Sequence, residues 1–127
     1  MRSEEMIKLL PSGLREVLQK MNLDVAGLQE IRLRAEQPAV ILSHGKEYVS
    51  QTVIHRRQLE ETLAYLGNYS LYAYEEEIRR GYLSLPGGHR VGIAGRVVVE
   101  DGNIRTITAI SSLNLRFAHQ ILGCADE

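Results

Sequence analysis

The sequence predicts an α+β domain in which helices pack on one face of an antiparallel sheet. One observation is that stretches with apolar residues at helical spacing are separate from stretches in which apolar and polar residues alternate strictly. Another is that turn sequences, such as Asp101-Gly102, join neighbouring strand-like stretches, as they do in antiparallel hairpins. Runs of helices and runs of strands, rather than a regular βαβ alternation, are typical of α+β domains.

These patterns predict ten elements in chain order. They are a helix within 5–21, a strand over 30–34, a hairpin of 39–42 with 47–53, helices over 56–66 and 71–80, and strand-like segments over 82–85, 90–99, 104–110 and 113–117. Pro11 is predicted to start the first helix, because proline is tolerated in a first turn. Ser70 is predicted to cap the third helix. Pro38 is predicted to break the first strand.

Length and composition indicate a single domain with a packed core. The chain has 127 residues, of which 44% are hydrophobic, and a formal net charge of -1. This even balance argues against a dedicated nucleic-acid-binding protein. No apolar run is long enough to span a membrane, and the N-terminus lacks a signal peptide, so a cytosolic protein is expected. Cys124 stands alone, which excludes an internal disulfide, and its plain interpretation is a small, partly buried residue.

The segment 87–96 is the most unusual part of the sequence, with four glycines in ten residues. It is not a Walker A loop, because no lysine follows and the context is a strand rather than the start of a helix. It is not a dinucleotide fingerprint either, since no helix follows. The plain interpretation is structural: Gly87-Gly88 forms a turn, whereas Gly92 and Gly95 indicate a bulge or a close approach of backbone.

Arginines accompany this segment. Arg90 and Arg96 are six residues apart and are therefore expected on one polar strand face, and Arg116 alternates with apolar residues in the same way. Arginine binds phosphate through a bidentate fork, so the three side chains are a candidate anion site. Solvated surface arginines are the alternative, and the pattern alone favours them.

Other chemistry-bearing residues form no recognisable site. The four histidines lack the spacing of zinc ligands. His89 lies beside glycines, but no nucleophile or carboxylate accompanies it, so a small enzyme built on His89 is the weakest hypothesis. Glu75-Glu76-Glu77 is a possible metal site, although a solvated helix start is the simpler interpretation.

Several motifs, in order along nearly the whole chain, resemble the stage III sporulation protein AA family. The motifs are Glu30–Arg34, Ser70–Ala73, Ile78-Arg79, Gly81-Tyr82, Gly87–Gly92, Gly95 and Ser111–Arg116. The resemblance implies a single N-terminal domain over 1–127, with a PAS-like fold, followed in the family by a RecA-like secretion-type ATPase core that this chain lacks. Such domains lie over the nucleotide in a homo-hexameric ring. By position, Arg90 and Arg116 resemble the strand arginines that reach nucleotide phosphates in such domains, and the resemblance leaves Arg32, Arg34 and Arg96 as weaker candidates.

The function implied by this resemblance is a non-catalytic cap that couples ATP hydrolysis to a channel between mother cell and forespore. The chain itself carries no Walker A or B motif, so no activity and no cofactor are expected of it, whereas ATP and Mg²⁺ are expected for the full-length ATPase. Expected partners are the ATPase core, neighbouring subunits and membrane proteins of the sporulation channel. The location would be the mother-cell cytoplasm, at the membrane through partners. A stand-alone protein-interaction module and a nucleic-acid-binding domain are the rival interpretations.

Overall fold

The computed structural model describes residues 7–8, 10, 12–23, 25–68, 74–100 and 103–118, with the backbone alone for 25, 74–75, 97–100 and 103–108. The helices are α1 (Ser12–Lys20), α2 (Arg56–Gly67) and α3 (Tyr74–Arg80), with a 3-10 turn at Val25–Gly27. The strands are β1 (Leu28–Arg34), β2 (Gln37–Ser43), β3 (Lys46–Ile54), β4 (Tyr82–Ser84), β5 (Arg90–Glu100) and β6 (Asn103–Arg116). The α+β class is confirmed.

All six strands belong to one antiparallel sheet, in the order β3-β2-β1-β6-β5-β4. Strands β1–β3 form one meander and β4–β6 form another. Strands β1 and β6 pair at the centre of the sheet and join the two meanders. Ile31 at this junction lies opposite Ile41 on one side and Leu115 on the other.

One face of the sheet forms the core together with the helices. A row of fully buried side chains crosses five strands, namely Leu83, Val91, Leu115, Ile31 and Ile41. The same cluster contains the inward-facing residues of the three helices, namely Leu14, Leu18, Leu59, Leu63, Leu66 and Ile78. Each such side chain stabilises the fold by about 1.5–3 kcal/mol relative to exposure. The predicted packing of helices against one face therefore holds for the described residues.

A bulge at the start of β1 determines which residues point away from the core. Leu28 and Ile31 are three residues apart and would face opposite sides of a regular strand, yet both are buried. The register with β2 shifts by one residue between Leu28 and Glu30, which brings both side chains to the same face. After the bulge, regular alternation sends Glu30, Arg32 and Arg34 to the other face.

The prediction that Pro38 breaks a strand was wrong. The chain reverses earlier, at Ala35–Glu36, where Glu36 has a positive φ of 61°. Pro38 instead lies near the start of β2, beside a register shift between Pro38 and Val40 that relaxes the pairing with β3. Proline is tolerated at such irregular positions because they do not require its missing N–H.

The two strand-like segments predicted over 104–110 and 113–117 are one strand, β6. Ile110 and Leu113 are both buried although they are an odd number of residues apart. An irregularity in the pairing with β5, between Ala94 and Arg96, changes the alternation, and Ala109 nearby has a φ of 50°. The change of phase made one strand look like two.

The remaining element predictions are mixed. Helix α2 matches the predicted 56–66 closely, and α3 ends where Gly81 follows, as predicted. Helix α1 occupies Ser12–Lys20 within the amphipathic stretch 5–21, and Ile7 and Lys8, earlier in that stretch, are also helical. Pro11, Ser70, Leu71, Asp101-Gly102, His119 and Cys124 lie outside the described residues. Across the part of the chain that is described, no helix is long and apolar enough to cross a membrane.

Replacing Ile31 by alanine tests whether the β1–β6 junction holds the two meanders together. The side chain is fully buried between two strands, so Ile31→Ala is expected to lower the free energy of unfolding by about 2–5 kcal/mol. Denaturant unfolding followed by circular dichroism measures the change. The matched control is Val53→Ala at a 41% exposed position, for which a change within about 0.5 kcal/mol is expected. Equal effects of the two substitutions would contradict this assignment.

Candidate functional site

The face of the sheet opposite the buried cluster carries the predicted arginines, and we call it the open face. Three rows of paired residues cross it from β5 over β6 to β1. The rows are Arg90–Arg116–Glu30, Gly92–Asn114–Arg32 and Ala94–Ser112–Arg34. The structure therefore brings four of the five candidate arginines together on three neighbouring strands. Arg96 is exposed on β5 beyond the register shift, opposite Thr108, and stands apart from the three rows.

Arg90 and Arg116 lie directly opposite each other on β5 and β6. Like charges in direct cross-strand positions are destabilising, so this pair needs a compensating interaction. Arg90 obtains part of it from Tyr82 on β4, because its guanidinium carbon lies 4.4 Å from the centroid of the Tyr82 ring. Both arginines are exposed, and neither forms an ion pair within the part of the chain that is described.

Glu30 supplies the nearest negative charge to this pair. Its carboxylate accepts a hydrogen bond from Arg32 Nε at 3.0 Å, and its side chain is 15% exposed. Burial acts to raise the pKa of Glu30, but hydrogen bonds from Arg32 and Asn114 and the charges of Arg32 and Arg116 outweigh burial, so the pKa is lowered. Glu30 is therefore ionised at neutral pH and neutralises part of the arginine charge.

A surplus of positive charge remains on the open face. Arg32 is also bound by Glu47, whose Oε2 lies 3.4 Å from Arg32 Nη1. Arg34 is exposed and makes no hydrogen bond or ion pair with another described residue. Four arginines in the three rows thus share two carboxylates. Arg90, on β5, lies on the side of the open face away from both carboxylates.

His89 has a structural role. It is buried, with 1% exposure, and its Nδ1 accepts a hydrogen bond from the N–H of Ala118 at 3.0 Å. The ring also packs edge-on against Phe117, with centroids 5.8 Å apart. The preceding glycines, Gly87 and Gly88, form the predicted turn with φ values of 91° and 86°. His89 thereby fastens the end of β6 to the β4–β5 turn, which positions Arg116 opposite Arg90.

Glu76 and Glu77 of α3 form contacts within the helix and with the neighbouring strand. Glu77 is 4% exposed, and its Oε1 accepts a hydrogen bond from the N–H of Ser84 at 2.9 Å. Glu76 pairs with Arg79 and Arg80 on the same helix, at 3.5 and 3.9 Å. Among the described residues no group of three metal-binding side chains occurs, and the side chain of Glu75 lies outside them.

The open face also has an apolar half, over β2 and β3. Its residues continue the same rows and are Pro38, Val40, Leu42, Val49 and Val53. Val49 and Val53 are 60% and 41% exposed, which is unusual for large aliphatic side chains. The face is thus divided into an arginine half and an apolar half.

Sequence reasoning missed three members of the site. Glu30 and Asn114 carry a usable signal, because each lies two residues from a candidate arginine in an alternating strand and must share its face. Tyr82 carries none, since its contact with Arg90 depends on the pairing of β4 with β5. Reading polar residues at i±2 of each arginine would have found the first two.

Replacing Glu30 by glutamine tests its role as the internal counter-ion. Because the pKa of Glu30 is lowered by folding, its contribution to stability is present above the ordinary glutamate pKa of 4.5 and is lost as pH falls through the lower folded value. Glu30→Gln is therefore expected to cost about 1 kcal/mol at pH 7 and almost nothing at pH 2–3. Urea unfolding at both pH values measures it, with Glu60→Gln at an exposed site of α2 as control. A pH-independent cost would contradict the assignment.

A pair of substitutions at His89 separates its hydrogen bond from its packing. His89→Asn keeps an acceptor near the position of Nδ1, whereas His89→Ala leaves the Ala118 N–H without a partner. Both are expected to be destabilising, and the alanine variant by about 1 kcal/mol more. Thermal unfolding of the two variants measures the difference. If the two were equally stable, the bond to Ala118 would not matter.

Comparison with known proteins gives consistent matches. The sequence model of the family described as "Sporulation stage III, protein AA" matches residues 1–127. Stage III sporulation protein AA of Bacillus subtilis (strain 168) is 33% identical over 123 residues, which cover 96% of this chain and 40% of the relative. The chain therefore spans about two fifths of the length of that relative.

Proposed function

Because this chain belongs to the sporulation stage III protein AA family, we propose that it is the nucleotide-capping domain of a sporulation ATPase. The arginine half of the open face contacts the phosphates of ATP bound to a separate RecA-like core. The domain itself has no catalytic residue, and ATP and Mg²⁺ are held by the core. A PAS-like fold for the domain is part of this proposal.

The cross-strand pair of Arg90 and Arg116 is the observation that carries the proposal. Arg90 and Arg116 occupy directly opposite positions on an exposed sheet face, and the nearby described carboxylates, Glu30 and Glu47, lie on the far side of Arg116 from Arg90. An external anion removes the repulsion between them, and arginine forks match the geometry of phosphate oxygens. The pairing of β5 with β6 and the hydrogen bond between Ala118 and His89 fix the backbone positions of Arg90 and Arg116. The two charges are therefore in place before a ligand binds.

Coupling to hydrolysis follows from differential binding. The γ-phosphate adds charge that favours the state in which the open face lies over the nucleotide, and its release removes that contact. In a homo-hexameric ring, successive closing and opening of these domains would move neighbouring subunits and drive a channel between mother cell and forespore. The domain would act in the mother-cell cytoplasm and reach the membrane through partner proteins.

Substitution of the two arginines in the full-length ATPase tests the proposal. Arg90→Ala and Arg116→Ala are each expected to lower kcat for ATP hydrolysis by about tenfold or more, equivalent to about 1.4 kcal/mol of transition-state stabilisation. Steady-state phosphate release measures kcat, and thermal unfolding verifies the fold. Arg57→Ala, at an exposed site on α2, is the charge-matched control and should retain full activity.

Two outcomes would reject the capping role. One is full ATPase activity in both arginine variants. The other is ATP hydrolysis by residues 1–127 alone, because the domain is proposed to contribute contacts rather than a catalytic centre.

A second candidate function is a stand-alone protein-interaction module. The exposed Val49 and Val53 in the apolar half of the open face favour it, since clustered apolar side chains on a surface mark interaction sites. It predicts that Val49→Asp impairs sporulation whereas Arg90→Ala and Arg116→Ala do not. Sporulation efficiency of strains with these three substitutions separates the two functions.

A further inference from the structure

At Gly92, on the open face, neither the backbone conformation nor the surrounding space requires glycine. It lies within β5 in regular register, opposite Tyr82 on β4 and Asn114 on β6. Its φ is not positive, unlike those of Gly87 and Gly88 in the adjoining turn. A glycine inside a strand loses more conformational freedom on folding than a residue with a side chain, and it has no side chain with which to pack against its neighbours.

Space is available for a side chain at Gly92. A Cβ added there would have Asn114 Cβ at 3.8 Å and the Asn114 carbonyl oxygen at 3.9 Å as its nearest neighbours, both ordinary van der Waals distances. Tyr82 is the residue opposite Gly92 on β4. Its ring does not come within 4 Å of the added Cβ and instead stacks on Arg90. Gly92 is itself partly exposed, so the β5 backbone can be approached from the open face at this position.

Gly92 lies beside Arg90 and Arg116, neither of which forms an ion pair with another described residue. Arg90 is two residues before Gly92 on the same face of β5, and Arg116 is opposite Arg90. Successive residues on one face of a strand are separated by about 6.6 Å, which the length of an arginine side chain can span. A compact anion resting on the Gly92 backbone is therefore within reach of both guanidinium groups.

We propose that Gly92 forms the floor of the anion site, where the absence of a side chain lets a terminal phosphoryl group lie against strand β5 within reach of Arg90 and Arg116. This inference rests on the proposed capping function and specifies where on the open face the phosphate binds. A phosphoryl group fits because it is compact and presents several oxygens to two arginine forks. A carboxylate at the end of a flexible acidic side chain would reach the arginines from above and would not require the glycine.

The proposal is tested by adding one methyl group to the floor in the full-length protein. Gly92→Ala is expected to weaken binding of ATP by about tenfold or more, because the methyl group holds the phosphoryl group away from the arginine forks. Isothermal titration with ATP, ADP and inorganic triphosphate measures affinity in a variant that lacks hydrolysis. Triphosphate should lose affinity as ATP does, and ADP should lose less, since it has no γ-phosphate.

Two substitutions at Ala94, the next residue on the same face, serve as references. Ala94 is exposed and lies one row further from Arg90. Ala94→Ser adds one heavy atom, as Gly92→Ala does, and should leave affinity unchanged. Ala94→Asp should weaken ATP binding through repulsion, and it provides a second test should Gly92→Ala fail to fold.

The outcomes distinguish this inference from the proposed function. If Gly92→Ala and Ala94→Asp bind ATP like the parent protein while Arg90→Ala and Arg116→Ala do not, the arginines contact nucleotide but the floor assignment is wrong. If the arginine variants also bind normally, the capping function itself fails. Equal weakening by Ala94→Ser and Gly92→Ala would show a general effect of bulk on the open face and would overturn the specific role of Gly92.

Discussion

The pairing of β1 with β6 determines the arrangement of everything else, because it is the contact that joins two local meanders into one sheet. Each meander forms from neighbouring segments, and the entropy of closing its loops is small. The central pair instead brings together residues about 80 positions apart, such as Ile31 and Leu115. Burial of these side chains beneath the helices supplies the stabilisation that this long-range closure requires. The same register places Glu30 beside Arg116 on the opposite face.

Both faces of the sheet are therefore consequences of one register. A shift by a single residue would turn the buried side chains outward and the arginines inward. The bulge at Leu28–Glu30 shows how closely core packing and the arginine face are linked. It brings Leu28 into the core while Glu30 and Arg32 stay on the opposite face. Substitutions that loosen the core are for this reason expected to disturb the arginine half of the open face as well.

On the open face, some arginines are neutralised by carboxylates and others are not, so the described residues leave an excess of positive charge. Arg32 is bound by Glu30 and Glu47, and such partly exposed pairs contribute little to stability. Arg90 and Arg116 have no such partners among the described residues, and the pairing of β5 with β6 keeps them in opposite positions. Charged groups held in place by strands cost less to organise around a ligand than groups on loops. This distribution suits a surface that responds to an anion arriving from outside the domain.

The sequence by itself determined the class of the fold, the extent of α2, the turn at Gly87-Gly88 and the polar orientation of Arg90 and Arg116. Each of these follows from local periodicity or backbone preference, which the chain carries within a few residues. The sequence did not predict that Pro38 lies within β2 or that β6 is one continuous strand. Bulges and register shifts change the alternation of buried and exposed residues without a characteristic residue pattern. Tertiary structure alone decided that Arg90 lies opposite Arg116, that Tyr82 stacks on Arg90, and that there is room for a side chain at Gly92. These relations depend on which strands become neighbours, and that choice is made by burial across the whole sheet rather than by any one segment.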